Sequence, residues 1–202
     1  MTTAKRSAAK RSAANRSAAA LSAPALKEWS AAVHALLDGR QTVLLRKGGI
    51  GEKRFEVAAE RFLLFPTVAH SHADRVRPEH QNLLAPAAAD SGTHHVVVRA
   101  GAKVVAAIAV SRPDGLADIE PLHIWTGKSV REDRLDFRPR HQLTVLVVAA
   151  CPLVEPVRIA RAADHAGCTS WVDLPVSPDW ADPVHDEPTL QRIADRVRRA
   201  VG

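Results

Sequence analysis

Apolar residues recur along the chain with both helical and strand-like spacings. The first periodic segment has helical spacing, i, i+3, i+7, i+10 and i+11, along one stripe formed by Leu26, Trp29, Val33, Leu36 and Leu37. Ser22 is a suitable N-cap for this stripe, and Gly39 follows its last apolar pair as a stop signal. The pattern therefore predicts a first helix over residues 22–38.

Short apolar runs bounded by turn residues follow this helix. Gln41–Arg46 reads as a strand that ends at Lys47-Gly48-Gly49, and Phe62–Phe65 reads as a buried strand stopped by Pro66. The segment Phe55–Arg61 fits a helix and a strand equally well, because its apolar residues satisfy both spacings.

The second half of the chain continues this irregular mixture. The predicted elements are a short helix at 76–84, a hairpin of strands 94–98 and 103–110 about Gly101, a helix at 127–137, a strand at 142–154 interrupted at Pro152, a strand at 168–174 and a terminal helix from Pro188. Helices and strands do not alternate regularly. This order favours an α+β fold, with a mixed, mostly antiparallel sheet and flanking helices in a single domain over residues 22–202.

Composition supports a core built from small and branched apolar side chains. The chain has 202 residues, 46% of them hydrophobic, and contains no tyrosine. Its longest apolar runs, such as Leu143–Ala150, are far shorter than the roughly 20 residues that a membrane-spanning helix needs. The two cysteines, Cys151 and Cys168, form no metal motif and read as reduced core thiols. We therefore expect a soluble cytoplasmic protein.

Most of the net charge of +6 belongs to the N-terminus. Residues 1–20 repeat a KRSAA-like unit and contain five cations and no acid, so the remainder of the chain is close to neutral. Residues 1–21 are predicted to be a disordered basic Ala/Ser/Arg tail. Overall basicity is therefore weak evidence that the folded part binds polyanions. The Ala-, Val- and Arg-rich, Lys-poor composition also suggests a bacterial source.

The segment from Val43 to His70 carries the densest group of residues that could contact a ligand, namely charged residues, glycines and a histidine. The Lys-Gly-Gly turn can leave backbone amides free to face an anion, although an ordinary hairpin turn has the same sequence and no Walker motif is present. We predict a nucleic-acid- or nucleotide-binding module with this anion-contacting loop. The predicted ligand-binding residues are Arg46, Lys47, Gly48, Gly49, Thr67, His70, His123 and Trp125.

Two other functions remain open at this point. A metal-dependent hydrolase or nuclease would use Glu and His ligands, here His70, His72, His123 and Glu52, although no HExxH motif is present. A non-catalytic interaction protein would use these motifs only to stabilise its fold.

Four short motifs carry a family resemblance. These are ALKEW at 25–29, LLRKGGI at 44–50, FLLFPT at 62–67 followed by His70, and LHIW at 122–125. Together they resemble the bacterial family called domain of unknown function 1802, over about residues 25–174. The family has no assigned activity, so the resemblance implies a shared fold and no particular substrate.

Overall fold

The structure is a computed structural model of the chain. It describes residues 22–48, 54–68, 71–167 and 169–202. The predicted basic tail, together with Gly49, Glu52, His70 and Cys168, lies outside these residues.

Six strands and five α-helices, joined by shorter helical turns, make up the described fold. The strands are β1 (Ala23–Trp29), β2 (Val43–Lys47), β3 (Arg61–Thr67), β4 (His95–Ala109), β5 (Leu143–Ala160) and β6 (Trp171–Leu174). The α-helices are α1 (Ser30–Leu37), α2 (His72–Arg75), α3 (Leu84–Ala89), α4 (Gly127–Val130) and α5 (Glu187–Val201). The 3-10 helices are Pro78–Leu83, Pro113–Leu122 and Ala163–His165, and a π-helix spans Arg131–Asp136.

The strands form one mixed sheet in the order β2-β5-β4-β3-β1-β6. Only β1 and β3 are parallel, and the other neighbours pair antiparallel. The protein is thus a single α+β domain with a mostly antiparallel sheet, as the order of elements predicts. A guanidinium nitrogen of Arg46, at the end of β2, lies 3.1 Å from the carbonyl oxygen of Lys27 in β1, although three strands separate β2 from β1 in the sheet. This contact shows that the sheet is curved.

The predicted first helix is wrong over its first half. Residues 23–29 form β1, and the helix begins only at Ser30. β1 pairs with β3 on one side and with β6 on the other, so both edges of its backbone are hydrogen-bonded within the sheet. This pairing outweighs the helical spacing of Leu26 and Trp29, since local propensity is a weak preference that tertiary contacts override.

The predicted hairpin about Gly101 is also wrong, because β4 runs through this glycine without a turn. A Cβ atom at Gly101 would lie 2.2 Å from the Trp180 indole ring. Glycine therefore permits the close approach of an aromatic ring here rather than a reversal of the chain. The partner strand β5 likewise continues past Pro152 to Ala160, and the register of β4 shifts between Val98 and Ala100 beside that proline.

The other predicted elements agree with the structure to within a few residues. Strands β2, β3 and β6 and the terminal helix are present, and residues 127–136 are helical as predicted, with a π-helical second half. The segment 76–84 is mostly a 3-10 turn. Cys151 is a free, buried thiol whose pKa is raised by burial. Among the described residues, no helix combines the length and apolar composition needed to cross a membrane.

Gly101→Ala tests the packing of the Trp180 ring. The added methyl group should displace the indole and lower the free energy of unfolding by about 1–3 kcal/mol. Gly127→Ala is the matched control, because a Cβ atom at Gly127 meets nothing within 4 Å. Equal stability of the two variants in urea denaturation would contradict this account, and adding Trp180→Leu to Gly101→Ala should restore part of the loss.

Candidate functional site

The candidate site lies where β1, β2 and β3 end. Trp29 at the end of β1 is the register partner of Thr67 at the end of β3, because these two strands are parallel. Arg46 near the end of β2 reaches the same place through the curvature of the sheet. The C-terminal ends of three strands therefore converge beside the helical segment 127–136.

A buried carboxylate, Glu28, holds these strand ends together. Its side chain is 4% exposed, and one oxygen, Oε2, lies 3.2 Å from a guanidinium nitrogen of Arg46. The other oxygen accepts the backbone N–H of Trp29 at 2.8 Å, while the Thr67 hydroxyl donates to the Glu28 carbonyl at 3.0 Å. Each oxygen of the carboxylate thus has a donor, which a charge in this environment requires.

Two further charged side chains come from the π-helix. Asp133 accepts two hydrogen bonds from the Arg75 guanidinium, at 2.6 and 3.2 Å, which is the paired geometry that arginine and carboxylate favour. A π-helix adds a residue to the helical turn, and its i→i+5 bond is present between the Phe137 N–H and the Glu132 carbonyl at 3.1 Å. Such turns are rare and occur frequently at functional sites.

Arg134 differs from the other arginines of the site. Among the described residues it forms no ion pair with a carboxylate, and the hydrogen bond of its guanidinium is a long contact of 3.4 Å to the Asp133 carbonyl. Burial lowers the pKa of Arg134; among the nearby charges Glu28, which raises this pKa, acts most strongly, followed by Arg46, which lowers it, and then by Asp133 and Arg75 in the same opposing order. Within the described residues, Arg134 therefore has charged neighbours of both signs but no carboxylate in direct contact.

Arg134 lines a small recess with a cavity volume of about 10 Å³, which is room for about one water-sized atom. The residues that line the recess are Trp29, Arg75, Trp125, Ser129, Val130, Asp133 and Arg134. The two indoles meet edge to face with ring centroids 5.0 Å apart, and the Arg75 guanidinium lies 5.6 Å from the Trp29 ring. Rigid aromatic walls and two guanidinium groups therefore surround the same space.

Lys47 is committed to the fold. Its ammonium donates to the carbonyl oxygens of Leu135 at 3.3 Å, Phe137 at 2.5 Å and Arg138 at 2.9 Å. These carbonyls follow the end of the π-helix, where backbone acceptors lack helical partners. Burial, and then Arg134, lower the pKa of Lys47. The role of the Lys47 turn as an anion ligand stays a prediction, with Gly48 buried and Gly49 outside the described residues.

The described histidines of the two predicted sets are buried and neutral. His72 packs edge to face on Trp29, with centroids 4.7 Å apart, and stacks on Trp125 at 6.2 Å. Burial, and then Arg75, lower its pKa to about 4. Burial also lowers the pKa of His123 to about 3, with smaller effects of Arg77 and His80.

His123 lines a wider groove on the other side of Val130. Its Nδ1 accepts a hydrogen bond from the Trp125 backbone N–H at 3.2 Å. Although these two residues are close in the sequence, Trp125 lines the recess and His123 lines the groove. Within the described ranges, no three His, Cys, Asp or Glu residues cluster closely enough to hold a metal ion. His70 and Glu52 of the predicted metal set lie outside those ranges.

The structure thus brings Arg46, Thr67, Lys47 and Trp125 to one end of the sheet. Sequence reasoning missed Glu28, Arg75 and the Asp133-Arg134 pair. Glu28 was hidden in a segment predicted as a helix face. Residues 131–134 were predicted only as part of a helix, and Asp133 and Arg134 are half-buried where they line the recess.

The comparisons with known proteins establish a family. The chain belongs to the family domain of unknown function (DUF1802), which it matches over residues 25–196. A search of curated proteins found no match. Among solved structures, the chain is similar to a mutant of the protein ZmASCH from Zymomonas mobilis, with 12% sequence identity and a TM-score of 0.41, over 85% of this chain and 96% of that one.

Glu28→Gln tests the ion pair that joins β1 and β2. The substitution keeps the shape of the side chain but leaves the Arg46 cation buried without its carboxylate, so the free energy of unfolding should fall by about 3–5 kcal/mol. Glu155→Gln, at an exposed position on β5, is the control and should be close to neutral. A loss at Glu28 no larger than that at Glu155 would show that the pair does not stabilise the strand ends.

The low pKa of His72 predicts that the folded protein becomes less stable in acid. Its pKa is about 4 in the folded protein and 6.5 in an unperturbed side chain, so the unfolded state binds the proton more readily. The contribution of neutral His72 to the free energy of unfolding is complete above pH 6.5 and is lost as the pH falls toward 4. The loss amounts to about 3 kcal/mol, because the two pKa values differ by 2.5. His72→Phe keeps the aromatic packing and removes the titration. Its unfolding free energy should therefore depend less on pH in this window, whereas superimposable profiles would contradict the assignment.

Proposed function

We propose that the recess at the ends of β1–β3 binds a phosphate group of a nucleotide or nucleic-acid strand, and that the protein is a nucleic-acid-associated binding module. The observation that carries the proposal is the Arg134 guanidinium, which faces the recess beside Arg75 without a carboxylate of its own in the described part of the chain.

The balance of charge around the recess favours an anion. Arg75, Arg134 and Asp133 line the recess, and the Arg46–Glu28 pair lies close enough to Arg134 to act on its charge, so three guanidinium groups face two carboxylates in this region. Excess positive charge in a poorly solvated space is costly, and an anion that enters the recess lowers this cost. Arginine suits a phosphate especially well, because its planar group donates two parallel hydrogen bonds to two oxygens.

The size of the recess limits which part of a ligand enters. Its volume of about 10 Å³ is roughly that of a single water site and far below the range of about 300–1,000 Å³ typical of clefts that enclose whole small molecules. One phosphate oxygen can therefore enter the recess beside Arg134, with the remainder of the ligand on the surface outside. Two exposed cations of the same helical segment, Lys128 and Arg131, line the groove on the other side of Val130, where a polyanion that extends from the recess would meet them. We expect such ligands to be met in the cytoplasm.

Arg134→Gln tests the proposal in the full chain. The five tail cations are replaced by Gln in all variants, so that the tail contributes no charge. Binding of a fluorescent single-stranded 12-mer, followed by anisotropy, should weaken by roughly 10- to 150-fold, as expected for lost charged hydrogen bonds of about 1.5–3 kcal/mol. The dependence of log affinity on log salt should become shallower by about 1.

Three further variants sharpen this test. Arg134→Lys keeps the charge and loses the paired donors, so its affinity should be intermediate. Arg192→Gln removes an exposed arginine on α5 and should leave binding unchanged. Lys47→Met asks whether the predicted loop also contacts the anion, and a loss of affinity counts only if the melting temperature is unchanged, because Lys47 also binds three backbone carbonyls. Failure of the parent protein to bind, or equal affinities of the Arg134→Gln and Arg192→Gln variants, would overturn the proposal.

A further inference from the structure

One aromatic side chain of the described fold stands in solvent. Phe137 is 56% exposed, whereas Phe55, Phe62 and Phe65 are at most 5% exposed. In a chain with only 4% aromatic residues, burial of each ring is valuable to the core. The exposed ring directly after the π-helix is therefore free to contact another molecule.

The backbone that carries this ring is firmly held. The Lys47 ammonium donates to the carbonyls of both Phe137 and Arg138, and the Phe137 N–H donates to the Glu132 carbonyl. Arg138 adopts a φ of 51°, in the left-handed region that residues other than glycine rarely occupy. Such strain persists only where the surroundings enforce it, and it clusters at binding sites. The fold therefore holds the exposed ring in position.

The segment around Phe137, residues 128–140, carries five cations and three carboxylates, an excess of positive charge. The guanidinium of Arg138 lies 5.0 Å from the ring centroid, and Arg131 and Arg140 are exposed nearby in the sequence. Arg134 in the recess is only three residues away, so the two Cα atoms are separated by at most about 11 Å of chain. An aromatic ring flanked by cations is the combination that binds single-stranded nucleic acids, because bases stack on the ring while phosphates contact the charges.

We infer that Phe137 is a stacking platform for a base of single-stranded nucleic acid whose neighbouring phosphate contacts Arg134 at the mouth of the recess. This inference rests on the proposed function and adds the class of strand. In a duplex the faces of the bases are already stacked on one another, so only an unpaired strand offers a base to the ring. The charge around the ring favours this polyanion over an apolar protein partner.

The test measures base stacking apart from phosphate binding. Three probes of equal length are titrated into the full chain with the neutralised tail: an oligothymidylate, the same strand paired with its complement, and an abasic sugar-phosphate strand. The protein variants are Phe137→Ala, Phe137→Leu and Phe137→Trp. Val154→Ala is the control, because Val154 is equally exposed at 60% but lies on β5.

The stacked base should contribute a factor of about 5 to 150 in affinity for the oligothymidylate. Phe137→Ala and Phe137→Leu should lose this factor, Phe137→Trp should retain it, and Val154→Ala should have no effect. Affinity for the abasic strand should be the same for all Phe137 variants, and the duplex should bind more weakly than the single strand.

The outcomes separate this inference from the proposed function. If the parent protein binds none of the probes, the proposed phosphate site itself fails. If Arg134→Gln weakens binding but Phe137→Ala binds the oligothymidylate as the parent does, only the stacking platform is overturned. A concentration-dependent dimer in sedimentation that Phe137→Ala abolishes, without any change in affinity for the strand, would instead assign the ring to contact between two copies of the chain.

Discussion

The arrangement of the site depends on the pairing of Glu28 with Arg46. These side chains come from strands near opposite edges of the sheet, and their contact is possible only because the sheet curves. A buried ion pair often adds little net stability compared with apolar packing, but it fixes geometry because neither charge tolerates the loss of its partner. Here that constraint brings the ends of β1, β2 and β3 to one place, with Thr67 bound to the Glu28 backbone.

The cations around this end of the sheet divide into two groups. Arg46 and Arg75 each have a carboxylate, and Lys47 is bound by three backbone carbonyls, so these three residues build the site. Arg134 has no such partner within the described residues and is the cation that we propose contacts a ligand. The same π-helix that carries Arg134 also ends where Lys47 holds the backbone of Phe137. The same helical segment therefore contributes Arg134 to the recess and places the exposed Phe137 ring directly after it.

The order of apolar runs predicted the fold class correctly. It failed for two elements, the first helix and the hairpin about Gly101. The helical stripe from Leu26 to Leu37 crosses a boundary between a strand and a helix, because Leu26 and Val33 happen to pack in the same cluster from different elements. Gly101 suggested a turn, and its real cause, the Trp180 ring, lies about 80 residues away in the sequence. Contacts of this kind are invisible to local patterns.

The predicted ligand-binding set is only partly brought together. Arg46, Thr67 and Trp125 lie at one end of the sheet, whereas His123 lines a different groove. Arg134 was missed because an α-helix and a π-helix present different faces, and no local signal in residues 131–136 announces the extra residue in the turn.

A direct measurement of the central claim is the NMR signal of the Arg134 Nε–H group during titration with inorganic phosphate. The account predicts a saturable shift of this signal, with the signal of Arg192 on α5 unmoved. Signals of Arg134 and Arg192 that respond alike, or an Arg134 signal that does not change, would contradict the assignment of the recess as a phosphate site.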